Sequence, residues 1–326
     1  MLFRSLDEYE RLRGTNLAWF GIDEMTYCPE EAWTRLEARL RDPKAKVLCG
    51  FGVWTPKGFD WVHRRFKGEP VEGYELIEAE PYENYHLLEK VPDYYERLKA
   101  SYDERFFRQE VLGQYLNLTA GQVYYAFDRK TNTGRFQADP RRRLAWSWDF
   151  NLNPMASVVC QEQDGNTVVL DEIVIETSST QEVCEEFVVR YGGHRAGVDV
   201  YGDASGEHGQ TATGKSDYDL IRGFFRRNPQ LDGWVGAGKA NPAVRDRVNV
   251  VNGRLRNAQG GRHLLVDKRC KELVKDLEQV SYKAGTSQID KEKDARRTHV
   301  SDALGYYLWA QFRPGAKVGE QSRRLL

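Results

Sequence analysis

Read by the period of its apolar positions, the chain is most legible in its second half. Five of the six residues Ala145-Trp146-Ser147-Trp148-Asp149-Phe150 are apolar, aromatic or small, the pattern of a buried central strand that opens at Leu144. A turn at Asn151 to Pro154 leads to a partner strand over Ala156 to Gln161. A hairpin turn at Asp164-Gly165-Asn166 then leads to a third strand, Thr167 to Ile175. Ser179 starts a helix, with Glu182 placed to complete a capping box, Val183, Phe187, Val188 and Tyr191 as its apolar stripe, and Gly192 as its stop. A strand ending at Asp203 comes next. Helices follow over Tyr218 to Arg227 and Pro242 to Asn257, then a short strand at His263 to Val266 and a helix over Lys268 to Val280. A last helix runs from about His299 to Gln311.

The first third reads less far. Leu2 to Ser5 is a short strand, and Asn16 to Ile22 an apolar strand closed by Asp23-Glu24. Pro29 to Arg41 is a helix, Lys46 to Trp54 a buried strand, and Pro92 to Leu116 one long helix. Gln122 to Arg143 reads as a linker and edge strand. Three antiparallel strands followed by helix, strand, helix, strand, helix is the ribonuclease H-like order. The expected fold is therefore α/β, with a ribonuclease H-like domain over 119–326 behind a first domain over 1–118.

Three acids stand where such a fold concentrates chemistry. Asp149 and Asp203 close apolar strands, and Asp302 lies one turn into the last helix with His299 and Tyr306 on the same face. Carboxylates gathered from two strand ends and a helix suit a pair of hard divalent ions, Mg²⁺ or Mn²⁺. Thr298 is the candidate N-cap, which sets Asp302 near the positive end of the helix dipole. Asp23 and Glu24 match a Walker B strand end, where an Asp holds Mg²⁺ and a Glu orients water. The stretch Gly209 to Ser216 matches a phosphate-binding loop in letters. It follows its strand too late and the Asp23-Glu24 strand in the wrong order, so it reads as a coincidence.

The 326 residues carry a formal net charge of -1, so any grip on nucleic acid has to come from local clusters such as Arg141-Arg142-Arg143, Arg226-Arg227, Arg296-Arg297 and Arg323-Arg324. Five cysteines without a C-x-x-C pair argue against a zinc site or a disulfide framework and for a reducing, cytoplasmic setting. No apolar run is long enough to span a bilayer, so no membrane partner is expected.

On these residues the chain resembles the large terminase subunit of tailed bacteriophages, the DNA-packaging motor. The resemblance runs through Arg11-Leu12-Arg13-Gly14, Asp23-Glu24, Trp54-Thr55-Pro56-Lys57-Gly58 with Asp60-Trp61-Val62, and Gly121-Gln122-Val123-Tyr124 with Phe127-Asp128. It continues through Trp148-Asp149-Phe150, Tyr201-Gly202-Asp203-Ala204-Ser205-Gly206 and His299-Val300-Ser301-Asp302-Ala303-Leu304. It implies a two-metal DNA endonuclease with Asp149, Asp203 and Asp302 as catalytic and metal-holding residues and His299 near the second ion. Glu172 is a weaker fourth acid that reads better as a solvent-facing strand residue. Residues 1–118 would be the C-terminal remnant of a P-loop-type ATPase domain, with Asp23 and Glu24 at its nucleotide and ATP bound only if a P-loop is supplied from elsewhere. The implied partners are double-stranded DNA, the small terminase subunit and the portal, in the bacterial host cytoplasm. Two rival readings are a motor component needing a separate P-loop chain and an inactive prophage remnant that only binds DNA.

Overall fold

The computed structural model describes residues 5, 6, 9, 14–69, 71–116, 121–151, 153–209, 214–236, 238, 240–283, 288–291 and 296–313. Most of the strand expected at Leu2 to Ser5, the Arg11-Leu12-Arg13 stretch, the middle of the Gly209 to Ser216 loop and Arg323-Arg324 lie outside them. Two compact units are present: Met1–Tyr95 with Arg105–Leu118, and Glu96–Glu104 with Thr119–Leu326.

In the first unit, β1 (Trp19–Ile22) and β2 (Cys49–Gly52) form a two-stranded parallel sheet with α1 (Glu30–Glu37) between them in sequence. Phe20, Ile22, Met25, Trp33, Leu36 and Val62 make its core. On the opposite sheet face Trp19 and Phe51 are 45% and 50% exposed, their rings stacked with centroids 5.9 Å apart. The strand expected to be buried over Lys46 to Trp54 is four residues long and half-covered, because among the described residues apolar partners pack on one face only. Short helices α2 (Trp61–His63), running on as a π-helical turn to Gly68, and α3 (Tyr85–Lys90) follow.

The single helix expected over Pro92 to Leu116 is two, α4 (Tyr94–Ser101) and α5 (Glu104–Glu110). Buried Asp103 breaks it. Its backbone forms an antiparallel bridge with Asn257 and its carboxylate accepts from the Tyr125 hydroxyl, which pulls the chain out of the helical path.

The second unit begins with α6 (Arg129–Asn132) and β3 (Thr133–Gly134). The antiparallel run β4 (Leu144–Asp149), β5 (Met155–Gln163) and β6 (Asn166–Ile175) follows. Then come α7 (Thr180–Tyr191), β7 (Val198–Gly202), α8 (Asp217–Arg227), β8 (Gly233–Val235), α9 (Val244–Leu255), β9 (Leu264–Asp267), α10 (Lys271–Gln279) and α11 (His299–Phe312). The seven strands lie in the order β3-β9-β6-β5-β4-β7-β8, and all pairings outside β4-β5-β6 are parallel. This is a mixed sheet of the ribonuclease H-like kind. The capping box at Ser179 and Glu182 forms as its spacing requires. The edge strands β3 and β8 carry too few residues to show a period, and nothing in the sequence marks them.

Side-chain alternation divides the core in two. Leu144, Trp146 and Trp148 of β4 pack with Phe187 of α7 and Tyr218, Ile221 and Phe224 of α8. Ala145 packs on the other face with Val251 of α9, Leu273 of α10 and Ala303, Leu304 and Leu308 of α11. A period of two then carries Ser147 and Asp149 to the α11 face. That alternation decides where the acid points.

Candidate active site

β4 and α11 are locked together next to Asp149. The Ser147 hydroxyl, fully buried, donates to the Ala303 carbonyl at 2.6 Å. On the other flank β7 approaches β4 in parallel register, Trp148 opposite Gly202. A Cβ at Gly202 would stand 2.8 Å from the Trp148 carbonyl oxygen, so this close approach requires glycine. One residue on, the Asp203 amide donates to that same carbonyl at 3.2 Å, which places Asp149 and Asp203 side by side at the ends of adjacent strands.

Asp149 is 8% exposed, and its Oδ2 lies 2.8 Å from His299 Nδ1; the Asn151 amide nitrogen stands 3.3 Å from the same ring nitrogen. Asp203 Oδ1 accepts from the Ser205 amide and from Asn241 Nδ2, both at 2.7 Å. Asp302 is 9% exposed. Its Oδ1 is 3.1 Å from Arg247 Nη1 and its Oδ2 3.6 Å from Lys291 Nζ. Burial, then the neighbouring Asp149 charge, holds the Asp302 carboxyl above the ordinary range, against the pull of Arg247, Lys291 and His299. Burial likewise raises the Tyr306 phenol. Arg247 opposes that rise, while the charges of Asp203, Asp302 and Asp149 all add to it. The structure thus brings Asp149, Asp203, Asp302 and His299 to one edge of the sheet.

The helix that delivers His299 and Asp302 is not started by its own cap. Thr298 has φ 83°, its side chain makes no capping bond, and its hydroxyl is buried without a hydrogen-bond partner among the described residues. Asp276 of α10 does that work instead, accepting from the Ser301 amide at 3.1 Å through Oδ2. Its Oδ1 pairs with Arg297 Nη1 at 3.2 Å, and Arg297 Nη2 reaches Glu272 Oε2 at 2.6 Å. Burial pushes Asp276 up to about 6, against the Ser301 amide and the Arg297 charge.

Glu172 belongs to the same network. It neither faces solvent, as its strand position suggests, nor joins the other acids: its oxygens accept from the Glu272 and Leu273 amides at 2.8 Å each and cap α10. Burial raises it too, to about 6. Sequence reasoning missed Arg247, Asn241 and Asp276, each of which reads alone as an ordinary polar helix or loop position. Among the basic clusters, Arg142 and Arg143 are tied to Asp139, Asp164, Asp199 and Asp232, and Arg297 is internal.

The donor set has the chemistry a hard divalent cation needs: carboxylate oxygens, those of Asp149 and Asp302 largely withdrawn from water and those of Asp203 half-buried, with Asp149 and Asp203 on neighbouring strand ends. Among the described residues no group of three or more His, Cys, Asp or Glu forms a ready-made metal cage. Arg247 and Lys291 supply positive charge to Asp302 instead. In the first unit, Asp23 and Glu24 follow β1 directly and are exposed, Glu24 in a left-handed conformation at φ 51°. Ser216 caps α8, its hydroxyl accepting from the Asp219 amide at 3.1 Å, which commits the end of the P-loop-like stretch to a helix start. Among the described residues no helix is long and apolar enough to cross a membrane.

An α/β chain whose larger unit is ribonuclease H-like, with acids on its central strands, defines the class. No protein-family model matches the sequence, and no curated protein matches it. Solved structures do. The large terminase of a thermophilic bacteriophage aligns with a TM-score of 0.62 at 20% identity, over 93% of this chain and 72% of that one. A second crystal form of it aligns with 0.62 at 19%, over 95% and 73%. Its complex with ATP-gamma-S aligns with 0.61 at 20%, over 91% and 71%. This chain has the fold of a phage large terminase, as its motifs led us to expect.

Proposed function

We propose that the chain is a large terminase subunit whose second unit is a metal-dependent endonuclease, cutting concatemeric viral DNA during packaging. One observation carries the reading: Asp149 and Asp203 end adjacent parallel strands, and α11 brings His299 and Asp302 against them. In this reading Asp149, Asp203 and Asp302 hold Mg²⁺ or Mn²⁺, and His299 orients the Asp149 carboxylate from the rim. Bound ions of this kind activate water and stabilise the leaving oxygen of a phosphodiester. The protein's share is to fix the carboxylates on rigid elements and to keep their charge uncompensated enough to attract the ions. Contacts to the DNA backbone give cleavage little sequence preference and strong salt dependence.

The test is cleavage of plasmid DNA by the purified chain in Mg²⁺ or Mn²⁺. Wild type should nick and linearise it. Asp149→Ala, Asp203→Ala and Asp302→Ala should each fall to background, and His299→Ala should retain part of the rate. Full cleavage by any of the three Asp variants sinks the assignment.

A second reading concerns the first unit. The large terminase of the thermophilic phage has been solved with ADP and with ATP-gamma-S, and here Asp23 and Glu24 stand exposed at a strand end as a Walker B pair would. We infer that this unit attends a nucleotide through Asp23 and Glu24 once a phosphate-binding loop, which no stretch of residues 1–22 provides, completes the site, and that residues 1–326 by themselves do not turn over ATP. Steady ATP hydrolysis by the chain, abolished by Glu24→Gln, would overturn that. The small terminase subunit and the portal are the partners this reading implies.

A further inference from the structure

Asp302 carries two cations of opposite character. Arg247, on α9, is 8% exposed at its side chain and reaches Asp302 Oδ1 at 3.1 Å; Lys291 is 61% exposed and stands 3.6 Å from Oδ2. The arginine is embedded. Its guanidinium lies 4.3 Å from the Tyr306 ring centroid, and its Nη1 also donates to the Asp302 carbonyl at 3.4 Å. Its stem runs along α11 beside Gly305, where an added Cβ would come within 3.5 Å of the Arg247 Cβ. Its Nε is buried without a hydrogen-bond partner among the described residues. Withdrawing a guanidinium from water costs several kcal/mol, roughly, unless a charge answers it, so the site keeps this group for the charge it brings. A lysine reaching in from solvent across 3.6 Å has no such commitment.

We propose that Arg247 is a positioning residue of the acidic site, a resident counter-ion that fixes Asp302 through Oδ1, while Lys291 is an exchangeable one that gives up Oδ2 to a divalent ion. The proposal rests on the reading of this site as a metal site. Its content is the division of labour between the two oxygens. Arg247 keeps Asp302 and Asp149 from forcing each other apart while no metal is present. Lys291 competes with the metal for the outward oxygen and so sets how much metal the site needs.

The experiment is thermal unfolding of the full chain in EDTA and across an Mn²⁺ titration, for wild type, Arg247→Met, Arg247→Lys and Lys291→Met. Wild type should gain stability as Mn²⁺ rises. Arg247→Met should lose about 5 °C without metal but clearly less at saturating Mn²⁺, which takes over the missing charge. Arg247→Lys, which restores charge but not the fork, should fall between. Lys291→Met should unfold at the wild-type temperature without metal and reach its Mn²⁺ midpoint at about a threefold lower concentration.

An equal loss for Arg247→Met with and without Mn²⁺, in a wild type that does respond to Mn²⁺, would make Arg247 packing alone and overturn the proposal. So would an unchanged Mn²⁺ midpoint in Lys291→Met, a variant whose exposed position keeps folding out of question. A wild type indifferent to Mn²⁺ would remove both this proposal and the metal-site reading beneath it.

Discussion

Two acidic clusters flank the start of α11, and they are built on opposite terms. In one, Asp276 and Glu172 are answered from inside the fold, by the Ser301 amide, by the Glu272 and Leu273 amides and by Arg297. In the other, Asp149 meets a histidine, Asp203 a backbone amide and an asparagine, and Asp302 one buried and one exposed cation. A carboxylate bound by backbone donors cannot change partners without unmaking a helix end. Asp149 and Asp302, held by side chains, can, and Asp203 takes both its amide and its asparagine on Oδ1. The first cluster therefore holds the structure in place, and the second is free to bind.

The largest expected difference is in stability. Asp276→Ala strips the start of α11 of its acceptor and takes one of two carboxylates from buried Arg297, which keeps Glu272, and should cost about 3 kcal/mol in denaturant unfolding. A loss below about 1 kcal/mol would show that Thr298 caps α11 in solution and would erase the contrast.

A smaller effect should appear with pH. Glu172 is raised from 4.5 to about 6 in the fold, so the native state holds its proton over a range where the unfolded chain has released it. Stability from this group is then full below about pH 4.5 and is lost as pH rises through about 6. Glu172→Gln, which mimics the protonated form, should close on wild type by about 1–2 kcal/mol between about pH 4.5 and pH 7. A gap that widens over that range would mean the two amides outweigh burial.

The smallest change in stability belongs to the binding cluster. Asp149→Asn gives up the His299 contact but relieves repulsion with Asp302, and should stay within about 1 kcal/mol of wild type while DNA cleavage disappears. Asp302 differs. Relief of repulsion alone would leave its variants as stable as wild type or more so, but Arg247 loses its partner when Asp302 is truncated, so Asp302→Ala should be destabilised in the absence of metal. Equal stabilities for the Asp149 and Asp302 variants would break that distinction.

What could be read in advance follows the range of the interactions. Strands β4 to β6 and the helix at Ser179 announce themselves because period and capping are local, and the three acids stand out because each ends or opens such an element. The break at Asp103 was hidden, since it depends on Asn257 and Tyr125, which no local pattern joins to it. Thr298 had the right residue type for a cap, but the backbone there turns left-handed and hands the role to Asp276, 25 positions before the amide it caps. Arg247 lies 55 positions from Asp302, and a period-counting reading of α9 registers it only as a polar residue between apolar ones.

The contact between His299 and Asp149 spans 150 positions of chain. At about 5–20 residues per second, roughly 8–30 s of synthesis separate the two. For much of that interval the nascent chain holds Asp149 and Asp203, whose strands are already made, while His299 and Asp302 are still to come. Asp302 and His299 arrive together, with the helix that closes one face of the core, onto the cap that Asp276 already offers. A nascent chain thus carries no assembled site, and the acidic edge comes into being in the same event that makes the domain stable.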